Sequence, residues 1–252
     1  MSLGYRVNRI WVNHENCITT DGKGKQTIVR TLNINSYYQQ HVLHHYNRFA
    51  NLYDLGEFIR RGTRRKAMSL SGWQPGECVL DLCTGTGDMA ITLASHGANV
   101  IGIDIARGML RRASAKSKNV TTSWLEMDAA ELAFADHSFQ ISMLSLALHH
   151  MPVQTQLQVL RELCRVTSRR IVIIEPDIPV KPEWIPLWTF VASVIDESEH
   201  MHEWVRQDFA ATCQIAGLKV ESIHGTTFGL HRIVICNPGI EDPKIEMASI
   251  IR

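Results

Sequence analysis

Asp81-Leu82-Cys83-Thr84-Gly85-Thr86-Gly87-Asp88 decides the fold. It continues the apolar run Cys78-Val79-Leu80, which reads as a buried strand, and it precedes a helical stretch through Ala94. A strand therefore ends in a carboxylate, turns on two glycines and opens a helix. Glycine permits positive φ and close backbone approach. The helix N-terminus beyond offers free N–H groups. Gly85-x-Gly87-x-x-Ala90 also fits a dinucleotide fingerprint. The position of the acid separates the two ligands. A dinucleotide site places its first glycine straight after the strand, where a pyrophosphate rests. Here Asp81 ends the strand and the first glycine waits until Gly85. A carboxylate at that point repels a diphosphate and suits a cation.

The pattern then becomes regular. Strand-like runs lie at Asn99–Asp104, Thr121–Glu126, Phe139–Leu146 and Arg170–Glu175, with helices opening at Met109–Ala115 and Gln154–Val166. Apolar strands alternating with helices predict a parallel sheet covered on both faces. Leu218–His224 and Arg232–Cys236 are joined by a segment too short for a helical crossover, so they run antiparallel. The expectation is a doubly wound α/β protein with a mostly parallel sheet and a C-terminal antiparallel strand. Asp81, Asp104 and Asp128 close three consecutive strands and open on one edge of that sheet. Ligands of open α/β sheets bind along this edge. Asp104 suits both hydroxyls of a ribose. Asp128 suits an adenine amine, with the Ala129 N–H donating to a ring nitrogen. The alternative role of each acid is a helix cap or turn.

The chain has 252 residues, 45% hydrophobic and 20% charged, with Lys plus Arg at 26 and Asp plus Glu at 25. The net charge of +1 gives no support to a nucleic-acid partner. No apolar run reaches the ~18 residues of a spanning helix, so no stable membrane insertion is expected. No charged-then-apolar leader opens the chain. Cysteines at 17, 78, 83, 164, 213 and 236 form no C-x-x-C pair and read as reduced thiols of a cytoplasmic protein. Residues 1–35 read as a hairpin or arm, with Arg9–Val12 and Thr27–Arg30 as its strands. Residues 36–74 read as helices, 75–238 as the main domain and 239–252 as a tail. The basic stretch Arg60–Lys66 reads as a solvated helix face, or as attraction for an anionic substrate or a transient lipid-surface contact.

The motifs together resemble class I S-adenosylmethionine-dependent methyltransferases. Val79–Asp88 resembles their first motif, Gly102–Leu110 the segment after it, Asp128-Ala129 with Leu132–Phe139 the third, and Leu160–Val166 the helix before the fifth strand. Residues 47–54 resemble the N-terminal helix of the ubiquinone/menaquinone-biosynthesis group. The resemblance implies a Rossmann-like, seven-stranded fold with S-adenosyl-L-methionine as cofactor. It places Asp81, Gly85 and Gly87 on the methionine part, Asp104 on the ribose, Asp128 and Ala129 on the adenine, Ser145 near the methyl, and Ile105 among the cofactor-binding residues. Tyr46 and Tyr53 would cover the site. Two departures stand out. Cys83 replaces a usual glycine or small residue. Leu148-His149-His150-Met151 replaces the Arg-Asn pair of the quinone group.

His149 and His150 are the catalytic candidates, as substrate-orienting groups or a general base; the bland alternative is packing at the strand end. The segment 177–207, with Trp184, Trp188, Phe190 and Trp204, reads as a lid suited to an aromatic or lipid-like acceptor, or as a core helix. Asp196–Glu203 does not match a familiar zinc spacing, so no metal is expected. The expected activity is methyl transfer to a small hydrophobic acceptor such as a quinol, phenol or lipid. N-methylation of an amine or headgroup, a cofactor-binding module without turnover, and an NAD-dependent oxidoreductase are the alternatives.

Overall fold

In the computed structural model, residues 5–7, 10–12, 29–30, 57–177, 200–226 and 231–239 are described. Tyr46, Tyr53, the segment 47–54, the lid aromatics Trp184, Trp188 and Phe190, and the tail 240–252 lie outside the described residues.

The apolar runs become strands of one sheet. The short β1 (Tyr5–Val7) and β2 (Ile10–Val12) form a separate antiparallel pair. The main sheet contains β3 (Val29–Arg30), β4 (Cys78–Leu82), β5 (Asn99–Asp104), β6 (Thr122–Glu126), β7 (Phe139–Ser145), β8 (Thr167–Pro176), β9 (Leu218–Gly225) and β10 (His231–Pro238). Their spatial order is β3-β6-β5-β4-β7-β8-β10-β9. Strands β3 to β8 are parallel, and β10 runs against both of its neighbours. Without the two-residue β3, this is the seven-stranded sheet expected from the sequence. The two strand-like runs of the N-terminal arm do form, but they do not pair with each other. Ile10–Val12 pairs with Tyr5–Val7, and Val29–Arg30 adds to Leu125–Glu126 of β6. An otherwise open sheet edge offers unpaired N–H and C=O groups that such a segment satisfies.

Helices α1 (Glu57–Ser71), α2 (Asp88–Ser95), α3 (Arg107–Lys116), α4 (Val153–Val166), α5 (Met201–Arg206) and α6 (Phe209–Ile215) fill the crossovers and ends. Strand alternation divides the core. Leu80, Leu82, Ile101 and Ile103 face the side packed with Leu160, Leu163, Phe209 and Cys213. Val79, Val100, Ile141 and Met143 face the side packed with Ala90, Leu93, Leu110 and Ala113. Asp81 shares the face of Val79, and this brings it under α2. Arg61, Arg65 and Lys66 are exposed on α1, as a solvated helix face requires. Cys83, Cys164, Cys213 and Cys236 are free thiols. Cys78 is disulfide-bonded, so the reading of uniformly reduced cysteines fails there. No helix among the described residues is long and apolar enough to cross a membrane.

Trp124 supports the glycine loop from below. It is fully buried, and its indole N–H donates to Ser117 Oγ at 3.1 Å. A Cβ on Gly87 would lie 2.5 Å from this ring, and one on Gly102 would lie 2.4 Å from it. Both glycines therefore make room for an indole that the core holds in place. Gly102→Ala is expected to destabilise the fold by about 1–3 kcal/mol, the usual cost of overpacking. Urea unfolding measures this. In a Trp124→Leu background the same substitution should cost less, because the atoms it strikes are gone.

Candidate active site

Parallel strands bring their C-terminal ends to one edge. Asp81, Asp104, Asp128, Ser145 and Glu175 all stand at or just beyond such an end. Asp81 is almost fully buried. Its Oδ2 accepts from Thr84 Oγ1 at 2.5 Å and from the Ala90 N–H at 3.2 Å, tying the loop to the first turn of α2. Burial pushes its carboxyl up to about 7, against the opposing pull of those two bonds. Arg64 of α1 lowers it through space and Asp104 raises it.

Asp104 bridges two segments. Its Oδ2 accepts from the Gly85 N–H at 2.8 Å and its Oδ1 from the Ala106 N–H at 2.8 Å. Burial raises it to about 6, although the N–H groups of Ala106, Gly85 and Ile105 favour its charged form. Asp128 Oδ1 accepts from the Ala130 N–H at 2.9 Å and shapes the turn after β6. Ala129 is buried beside it. The loop itself needs left-handed backbone at Cys83 (φ 54), Gly85 (φ 55) and Gly87 (φ 81). A glycine at position 83 would relieve strain that Cys83 carries.

The acids act on one place. The Cys83 thiol is pushed well above its usual range, first by burial and then by Asp104, Asp128, Asp81 and Glu175 together. Asp81 and Asp104 bond directly within the glycine loop, and Asp128 and Glu175 act on its Cys83 through space. That field suits a cation and opposes a diphosphate.

The two histidines separate. His149 is fully buried, and its Nδ1–H donates to Glu175 Oε2 at 2.6 Å. Glu175 Oε1 accepts from the N–H groups of Ala147 and Leu148 at 3.1 and 2.9 Å. The His149 ring lies 4.1 Å from that of His150 and 6.1 Å from that of Trp204. Glu175 thus ties the His149 ring to the backbone of Ala147 and Leu148. His150 is partly exposed on the short 3-10 turn Leu148–His150. Ser145 ends β7 beside Ile174, and Leu146 turns away with φ 54. The sequence reading did not single out Glu175. It stands at a strand end like the other three acids, and that signal was sufficient to find it.

A reversed β10 between β8 and β9, beside parallel strands with a glycine loop at the first crossover, is a Rossmann-like α/β arrangement. Residues 79–170 match a methyltransferase domain family. It is 33% identical over 150 residues to a demethylmenaquinone methyltransferase of Lactobacillus johnsonii, covering 56% of this chain and 60% of that protein. It is 28% identical over 141 residues to a 2-phytyl-1,4-naphtoquinone methyltransferase of Trichormus variabilis, covering 51% of this chain and 62% of that one. The chain thus spans about 60% of the length of these curated relatives. Among solved structures, magnesium protoporphyrin IX methyltransferase from Synechocystis PCC 6803 with bound SAM superposes with a TM-score of 0.59 at 19% identity. That alignment covers 82% of this chain and 100% of the other, and it shows a shared fold.

Proposed function

We propose that this chain binds S-adenosyl-L-methionine along its acid-rimmed edge and transfers a methyl group to a small hydrophobic acceptor of quinol or phenol type. The hydrogen bonds of Asp81 and Asp104 to the glycine loop, with Asp128 beyond the next strand end, carry this reading. The similarity to quinone methyltransferases favours the acceptor class. When bound, the cofactor supplies an electrophilic methyl on a sulfonium. The protein's task is alignment, and holding nucleophile and methyl in line removes about 7–11 kcal/mol of barrier. In this reading Asp81 faces the cationic methionine part, Asp104 accepts from the ribose hydroxyls, and Asp128 with the Ala129 N–H reads the adenine. Gly85 and Gly87 let the loop approach. Ile105 lines the ribose, Ser145 lies near the methyl, and His150 lies at the acceptor's entry. Tyr46 and Tyr53 would close over the pocket.

The raised acids give a test with a defined sign. At neutral pH the empty site holds Asp81, at about 7, partly protonated. A cation and hydroxyl donors both favour the ionised carboxylates, so binding releases protons. Affinity for S-adenosylmethionine should therefore rise with pH between about 5 and 8, at most tenfold per pH unit and per proton released. Isothermal titration in two buffers of different ionisation enthalpy measures the affinity and the proton count. Binding that is flat in pH, or tighter binding of NAD than of S-adenosylmethionine, would overturn the reading. Transfer of a labelled methyl group to demethylated naphthoquinols, phenols and amines then distinguishes the acceptor classes, and N-methylation of an amine is the competing result.

A further inference from the structure

Arg232 forms no ion pair among the described residues. It stands second in β10, directly across from Glu175 of β8. Its guanidinium lies 5.2 Å from the ring centre of Trp204 and 5.1 Å from that of Phe209. These two rings are themselves 5.1 Å apart. Its Nε and Nη2 are buried and make no hydrogen bond, and neither does the indole Nε1 of the fully buried Trp204. No carboxylate of the described residues comes within ion-pair distance of it. Glu175 spends its oxygens on Ala147, Leu148 and His149 instead. The residue as a whole keeps some exposure to solvent.

Such a cluster works against the fold. Buried polar groups are almost always satisfied, and a buried charge without hydrogen bonds is costly. Burial accordingly pulls Arg232 below its ordinary range, and only the through-space attraction of Glu175, Asp177 and other acids opposes this. An apolar side chain of equal length would fill the gap between two aromatic rings without that cost. Three orphaned donors, all N–H, are left at one place. They lie on the same sheet edge as the carboxylate rim but at its opposite flank, beyond β7 and β8. Arg232 thus places one cation at a flank where Glu175, Asp177 and Asp208 are the acids acting on it.

We infer that Arg232, clamped by Trp204 and Phe209 and joined by the Trp204 N–H, is the anchor for an anionic oxygen of the methyl acceptor. The inference rests on the methyltransferase reading and narrows its acceptor. An ionised hydroxyl suits the cluster, because the guanidinium carries the charge and the unsatisfied N–H groups that its oxygen would accept from. A planar guanidinium stacked on an aromatic is preorganised for this contact, so little side-chain freedom is lost on binding. Arg232 thereby acts as a specificity-determining group, and it favours the ionised, more nucleophilic form of a phenolic acceptor over the neutral one.

The test compares two probes of nearly equal shape on the full chain saturated with S-adenosylhomocysteine. These are the hydroxynaphthoquinone anion and unsubstituted naphthoquinone. Wild type should prefer the anion by about tenfold to a hundredfold, the range of a desolvated charged hydrogen bond. Arg232→Met should abolish that preference while binding the neutral probe as before. Arg232→Lys should retain part of it. Bound-anion absorbance should shift in wild type and not in Arg232→Met. Equal binding of both probes by wild type, or an undiminished preference in Arg232→Met, would overturn the inference. The wild-type comparison decides even if the Met variant fails to fold. S-adenosylhomocysteine affinity is recorded alongside, so failure of the cofactor reading is seen separately from failure of the acceptor anchor.

Discussion

Glu175→Ala is expected to destabilise the protein by about 3–5 kcal/mol, the largest single loss within the site. Glu175 is fully buried and takes three donors: the Ala147 N–H, the Leu148 N–H and His149 Nδ1. Alanine leaves all three without an acceptor, in a place water does not reach. Each orphaned donor costs about 1–3 kcal/mol, and the sum is not additive because the turn relaxes. Glu175→Gln should be much milder. Its amide oxygen still accepts from both backbone groups, and only the His149 contact must rearrange. Urea unfolding with the slope compared between variants gives the numbers. If Glu175→Ala stayed within about 1 kcal/mol of wild type, the dyad would not be what holds the 147–150 turn.

Asp104→Asn should show the opposite balance, with a large loss of ligand and little loss of fold. We expect affinity for S-adenosylhomocysteine to fall about a hundredfold, some 2.7 kcal/mol. In the proposed complex the ribose hydroxyls would lose a charged acceptor, and the amide cannot accept at both ends. Stability is another matter. Burial lifts Asp104 to about 6 from an ordinary 3.8, so its ionisation between those values works against the folded state as pH rises. Removing the charge removes that cost, while the asparagine oxygen keeps one of the Gly85 and Ala106 bonds. The thermal midpoint should therefore stay near or above that of wild type. Acids held against their own stability are expected where a ligand, rather than the fold, repays the ionisation. A variant that unfolds as readily as it loses ligand would make Asp104 a structural residue only.

The seven strands and the helices α2, α3 and α4 were legible because local pattern carries them. Apolar runs at Cys78–Leu82 or Asn99–Asp104 suit no solution other than a doubly covered sheet. The acids at their ends were legible for the same reason, since a strand that stops at Asp81 or Asp104 must present it at the ligand edge. Pairing between distant segments was not. Arg9–Val12 and Thr27–Arg30 carry strand propensity, but propensity does not name a partner, and each found a different one.

The burial of His149 depends on a residue far along the chain. Its sequence neighbours place it at the mouth of the site, whereas Glu175, brought beside it by the pairing of β7 with β8, draws it into the core. Arg232, with its two aromatic neighbours, is invisible in sequence for the same reason. Three residues that touch there are contributed by three separate elements, α5, α6 and β10. The sequence by itself determined which side chains stand at the ends of strands, because alternation and strand limits are local. Only the tertiary structure decided which of them are satisfied and which are left waiting for a ligand, because burial and hydrogen-bond partners depend on segments that meet only when the chain folds.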